Sequence, residues 1–167
     1  MIPDINSVIA IVKKAAKYMQ TNTFEISQKG DYSNIVTSSD IAVQNFLCKQ
    51  LSKILPESGF LCEEEDIWDN SHEYTWIIDP IDGTANYSRG IAQSAICVGL
   101  KHNTDIIKGI VYIPMADELF YAEKNKGAFL NGKQIHVSGR PFQNSILSTA
   151  LPVYHKKYAE VCSKVIV

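Results

Sequence analysis

Apolar residues near the start of the chain recur at helical spacing. Ile5, Val8, Ile9, Val12, Ala16 and Met19 share one face of a helix over residues 5–19, with Lys13, Lys14 and Lys17 off it. Such a helix buries its stripe in its own domain, against a sheet. Phe24 to Gln28 alternates and reads as a strand, followed by turn residues at 29–34. A second helix over 38–55 carries Phe46, Leu47, Leu51, Ile54 and Leu55 inward. Its cap lies among Val36-Thr37-Ser38-Ser39-Asp40, but the pattern does not select which hydroxyl or acid serves, so Asp40 reads as N-cap or first-turn acid. Pro56 to Gly59 is a turn, and Phe60-Leu61-Cys62 a short strand. Trp76-Ile77-Ile78 is a buried strand that Pro80, lacking an N–H, should stop.

Short apolar runs at 95–100, 106–113, 119–122, 128–130 and 134–137 then follow, separated by the turn signals Asn103-Thr104-Asp105, Pro114 to Asp117, Lys126-Gly127 and Asn131-Gly132. Helix, helix and then a meander of strands predicts an α+β fold with two helices packed on a mainly antiparallel sheet. The helices cover one sheet face only. The other face stays apolar, so the chain is expected to self-associate or to be poorly soluble. Ser145 to Leu151 reads as a further strand and Tyr154 to Ile166 as the start of a helix.

Composition narrows the function. The chain has 167 residues and a formal net charge of −2, with no basic field to attract nucleic acid or an anionic membrane. No apolar run spans a bilayer, and Met1-Ile2-Pro3-Asp4 lacks the basic start of a signal peptide. Cys48, Cys62, Cys97 and Cys162 are scattered along the sequence. They read as buried thiols of a cytoplasmic protein rather than as disulfides or a zinc site.

The chemistry concentrates around two acidic stretches. Asp79 and Asp82 stand three residues apart at a strand end, before Gly83 and the opening of a helix at Thr84. Carboxylates there suit hard divalent cations, and helix-opening amides suit a phosphate. Asp-Pro and Asp-Gly pairs also form ordinary surface turns. The second stretch, Glu63-Glu64-Glu65-Asp66, reads alone as a solvated loop. If its strand neighbours the one ending in Asp79, three or four carboxylates converge at one edge and repel unless cations fill the site.

Trp76-Ile77-Ile78-Asp79-Pro80-Ile81-Asp82-Gly83-Thr84-Ala85-Asn86-Tyr87 closely resembles the first signature of the inositol monophosphatase family. Val36-Thr37-Ser38-Ser39-Asp40 and Lys126-Gly127-Ala128-Phe129-Leu130-Asn131-Gly132 match further family strings, and the resemblance runs from the first helix to about residue 150. It implies the N-terminal part of an inositol monophosphatase/fructose-1,6-bisphosphatase-like fold. Residues 1–150 would be a metal- and phosphate-binding domain and 151–167 the start of a C-terminal domain. It also implies a Mg²⁺-dependent hydrolase, with Mn²⁺ as a substitute, acting on a small phosphorylated polyol, sugar or nucleotide through metal-activated water. A cytoplasmic homodimer is implied as well.

By position, Glu63 and Asp79 would hold a first ion with the Ile81 carbonyl. Asp79 would bridge to a second with Asp82, and Thr84 with Asp40 would orient the water. Asp82 and the Gly83 and Thr84 amides would face the phosphate, with Glu64 in support. Three departures accompany this match. Cys62 replaces a glycine, Ala92 a frequent proline, and no Trp-Asp string follows Val137, although the family places there an aspartate that completes the second site. A non-catalytic metal- or phosphate-binding remnant, or an interaction domain, is therefore the rival expectation.

Overall fold

Asp4 starts the first helix by accepting the Asn6 N–H on its carboxylate at 3.1 Å, so α1 (Ile5–Ala15) begins where its apolar stripe does. A 3₁₀ turn at Ala16–Gln20 extends it. These elements come from a computed structural model that describes residues 1–20, 24–28, 35–64 and 71–146. Two compact units divide the chain, Met1–Ile135 and His136–Val167. The boundary expected at residue 150 falls inside the second unit, and residues 147–167, with the helix expected at 154–166, lie outside the described residues. Ser145 and Ile146, expected to open a strand, are not in one.

In the first unit a small hairpin, β1 (Ile26–Gln28) with β2 (Ile35–Thr37), delivers the chain to α2 (Ser38–Ile54). The cap left open by the sequence pattern is Thr37, in a capping box whose third helical residue is Asp40. Among the described residues seven strands then make one sheet in chain order: β3 (Gly59–Cys62), β4 (Tyr74–Asp82), β5 (Ala95–His102), β6 (Asp105–Ile113), β7 (Glu118–Glu123), β8 (Gly127–Leu130) and β9 (Lys133–Ile135). Only β3 and β4 run parallel; each later pair is antiparallel. β9 ends at Ile135, short of the expected Val137. Asn131 pins the final hairpin, accepting the Leu119 N–H and donating to the Asp117 carbonyl, both at 2.9 Å.

β4 does not stop at Pro80 as expected. It continues to Asp82, but Asp79 pairs with Cys97 and Asp82 with Ala95, so one extra residue is fitted between them. This bulge is where a strand tolerates a proline, since the residue's missing N–H is not required by the ladder. Pro80 and Ile81 are both buried in consequence, and the strand end is re-aimed.

α2 packs over β4 and α1 over β6. Val8, Val12, Leu47 and Leu51 meet Trp76, Ile78, Ile96, Leu100 and Ile110 in one core, with Trp76 fully buried. Ile9, expected on this face, is only partly covered, and Ile11 is buried instead.

The opposite face of the sheet carries a trough of about 390 Å³ lined by Ile77, Gly99, Gly109, Val111, Phe120 and Ala122. Ile77 and Val111 are 36% and 37% exposed. Exposed patches of this kind drive association. Light scattering should show the chain's mass rising with concentration, and Val111→Glu should suppress the rise. A monomer at every concentration would mean that this face is stable in water.

Candidate active site

The bulge in β4, the parallel strand β3 and the start of α2 bring the acidic stretches together. Cys62 pairs with Ile78, and the Glu63 N–H reaches the Ile78 carbonyl at 3.1 Å. The residue after β3 therefore lies beside the one before Pro80. Glu63 is exposed and Glu64 fully buried. Gln44, one turn after Asp40 on α2, fixes this corner. Its amide donates to the Glu64 carbonyl at 2.8 Å and accepts the Glu64 N–H at 3.0 Å. Gln44 escaped the sequence reading because a polar residue between apolar helix positions gives no signal of a distant backbone partner. Glu65 and Asp66 lie outside the described residues.

Asp79 shows what the crowding does. Burial first, then a hydrogen bond with Glu63, then the charges of Glu63, Asp82 and Asp40, push its carboxyl from 3.8 to about 8. Its Oδ1 is buried with no hydrogen-bond donor within reach, a costly arrangement that a cation or donor would relieve. The ligand chemistry is all oxygen, the choice of Mg²⁺ and Mn²⁺. The thiol opposite Asp79, Cys97, is pushed up to about 12 by burial and by the surrounding acids. The expected convergence of three or four carboxylates is only partly realised. Among the described residues no three His, Cys, Asp or Glu side chains close on one point; Glu63 and Asp79 meet, while Glu64 turns into the protein.

Asp40 and Thr84 do meet. Asp40 is fully buried, and its Oδ2 accepts from the Thr37 N–H at 2.8 Å and the Thr37 hydroxyl at 2.5 Å. Its Oδ1 accepts from Thr84 Oγ1 at 3.0 Å, and that same hydroxyl lies 2.9 Å from the Ile81 carbonyl. One hydroxyl has one proton to give, so Thr84 chooses between Asp40 and Ile81. Burial pushes the Asp40 carboxyl up, and the Thr37 and Thr84 hydrogen bonds hold it down. Asp40 is thus the first-turn acid of the capping box, not the N-cap, and it also accepts the Thr84 hydrogen bond.

Gly83 carries the turn into α3 (Thr84–Tyr87) with φ +83°. A Cβ there would lie 2.9 Å from the Gln93 carbonyl, which already accepts the Asn86 amide at 2.8 Å. The first amides of α3 have no carbonyl one turn earlier to bind. Gly83→Ala should cost more than about 1–2 kcal/mol in chemical denaturation, the left-handed backbone alone accounting for that much; an unchanged midpoint would show that the turn relaxes freely. Tyr87 ties the motif to α2, its hydroxyl 3.0 Å from the Met19 carbonyl and 2.9 Å from Ser39 Oγ. The glycine for which Cys62 stands is not needed here, since Cys62 closes a regular strand and is not among the residues with positive φ.

The chain is similar to known proteins. The inositol monophosphatase family model matches residues 2–163. An inositol-1-monophosphatase of Rhizobium meliloti is 33% identical over 155 residues, 89% of this chain and 58% of its own length. A protein named Nus factor SuhB from Escherichia coli K12 is 32% identical, over 95% of this chain and 62% of its own. A Thermotoga maritima structure named IMPase superposes with a TM-score of 0.75 at 29% identity, over 81% of this chain and 54% of its own. The chain thus spans about six-tenths of the length of the curated relatives it matches.

Proposed function

Because this chain belongs to the inositol monophosphatase family, we propose that the Glu63–Asp79–Asp82 edge is the catalytic centre of a Mg²⁺-dependent phosphomonoesterase. Its substrate class is small phosphorylated polyols, sugars or nucleotides, and its setting a cytoplasmic homodimer. Among the described residues no helix is long and apolar enough to cross a membrane. The observation that carries the reading is the hydrogen-bonded set Asp40–Thr84–Ile81, placed one bulge away from Asp79 with its unsatisfied oxygen.

Glu63, Asp79, Asp82 and the Ile81 carbonyl would hold Mg²⁺, or Mn²⁺ in its place. The bound ion would supply charge for the phosphoryl oxygens and a lowered pKa for a water. The chain's own residues do the rest. When Thr84 donates its hydrogen bond to Asp40, its lone pairs are left to accept a hydrogen bond from a water and orient it, and the Ile81 carbonyl is released. Glu63, exposed beside Asp79, would take the proton that the attacking water gives up. The Gly83 and Thr84 amides, with Asp82, mark the side from which a phosphate is held. Glu64 stays behind, its backbone fixed by Gln44.

The experiment is release of inorganic phosphate by the purified chain from inositol phosphates, sugar phosphates and 3′-phosphonucleotides, with and without Mg²⁺. Mg²⁺-dependent release is expected, with Glu63→Gln slower by about 10²-fold or more. Release indifferent to both Mg²⁺ and Glu63 would remove the reading. Mg²⁺ binding without turnover would favour an interaction domain instead, a role in line with relatives named Nus factors.

A further inference from the structure

Cys48 and Cys62 are 14 positions apart in sequence, yet their sulfurs lie 3.7 Å apart, one on α2 and the other at the end of β3. The contact is held by more than the cysteines. Gln44 sits one turn before Cys48 on the same stripe of α2 and grips the Glu64 backbone through two hydrogen bonds, so helix and strand end are already fixed against each other. The two thiols differ in access: Cys62 is 3% exposed, whereas Cys48 is half-buried. A disulfide needs a bond of about 2.05 Å, which leaves roughly 1.7 Å to close, within reach of side-chain rotation. Holding two reacting groups this near converts a bimolecular step into an intramolecular one.

We propose that Cys48 and Cys62 form a redox site, closing to an intramolecular disulfide when the chain meets a low-molecular-weight disulfide and reopening with thiols. The more exposed Cys48 sulfur attacks one sulfur of the oxidant, breaking its S–S bond, and the first small thiol leaves with the Cys48 proton. Cys62 then attacks the Cys48 sulfur of the mixed disulfide, and the second small thiol leaves with the Cys62 proton. Two protein thiols are oxidised by two electrons and one small disulfide is reduced to two thiols. The bond would staple α2 to the residue immediately before Glu63.

The test is to treat the folded chain with oxidised glutathione and map it by mass spectrometry after non-reducing digestion. The expected product is a peptide pair joining Cys48 to Cys62, lighter by two hydrogens than the separate peptides and split by dithiothreitol. Cys97→Ser should form it undiminished. Cys62→Ser should stop at a glutathione adduct on Cys48, and Cys48→Ser, at the more exposed position, should form no link. A wild-type chain that keeps the adduct on Cys48, links to Cys97 or Cys162 instead, or gives no link would overturn the proposal.

Discussion

Millimolar Mg²⁺ should raise the melting temperature of this chain at pH 8, and Asp79→Asn should abolish the rise. A ligand at 100 times its Kd adds about 2.7 kcal/mol. For a chain of this length that corresponds to a shift of roughly 5–11 °C. The pH dependence follows from Asp79. Its folded carboxyl titrates at about 8, well above its ordinary 3.8, because burial and the proton shared with Glu63 favour the neutral form. The folded chain therefore keeps a proton that the unfolded chain has lost. Without metal, stability from this group is fully present below pH 4 and is lost as pH rises through about 8.

Mg²⁺ needs the ionised form, so its stabilisation should grow over the same window. Asn is close in shape to the protonated acid and can donate to Glu63 in its place. Asp79→Asn without metal should thus lose the alkaline weakening and, at pH 8, melt above the metal-free wild type. Thermal melts across pH 5–9 with and without Mg²⁺ read both effects. A wild-type midpoint indifferent to saturating Mg²⁺, or an Asn variant that still responds, would show that Asp79 is not the ligand.

The two helices and the antiparallel run of strands from β5 to β9 are legible in the sequence because apolar period and turn residues encode them locally. Two facts at the site are not. Pro80 signals a strand end to any local reading; that β4 continues to Asp82 depends on β5 supplying partners on either side of a bulge. The second is pairing across distance. Gln44 with Glu64, Tyr87 with Ser39, and Cys48 with Cys62 are set by how α2 lies on the sheet, and no spacing within one element reports them. The family resemblance did place Asp40 beside Thr84, 44 residues away. It also grouped Glu63, Asp79 and Asp82 at one edge, but the tightness of that group is a matter of mutual repulsion and burial, which a motif does not carry.

Removing the Thr84 hydroxyl should cost the largest share of turnover. Thr84→Val keeps the shape and deletes the group that lies 3.0 Å from Asp40 Oδ1 and 2.9 Å from the Ile81 carbonyl. Phosphate release should fall by about 10²–10⁴-fold, the usual weight of a positioned proton-transfer group. Thr84→Ser retains the hydroxyl and should stay within about tenfold of the wild type, losing only the rotamer restraint of the β-branch. Asp40→Asn tests the direction of the hydrogen bond. Its amide would donate where the carboxylate accepts, so Thr84 would turn its proton to Ile81 and give one of its two lone pairs to the amide, leaving a single one for the water.

Asp40→Asn also touches the capping box of α2, whose contribution is about 1 kcal/mol, so its stability must be measured beside its rate. The Val variant separates catalysis from folding. The Mg²⁺-induced melting shift should survive in it, because Val removes none of the proposed ligands, Glu63, Asp79, Asp82 and the Ile81 carbonyl, and takes away only the hydroxyl 2.9 Å from the last of them. If Thr84→Val hydrolyses as fast as the wild type, the proton-handling role falls, and Thr84 is left with its local hydrogen bonds to Asp40 and Ile81.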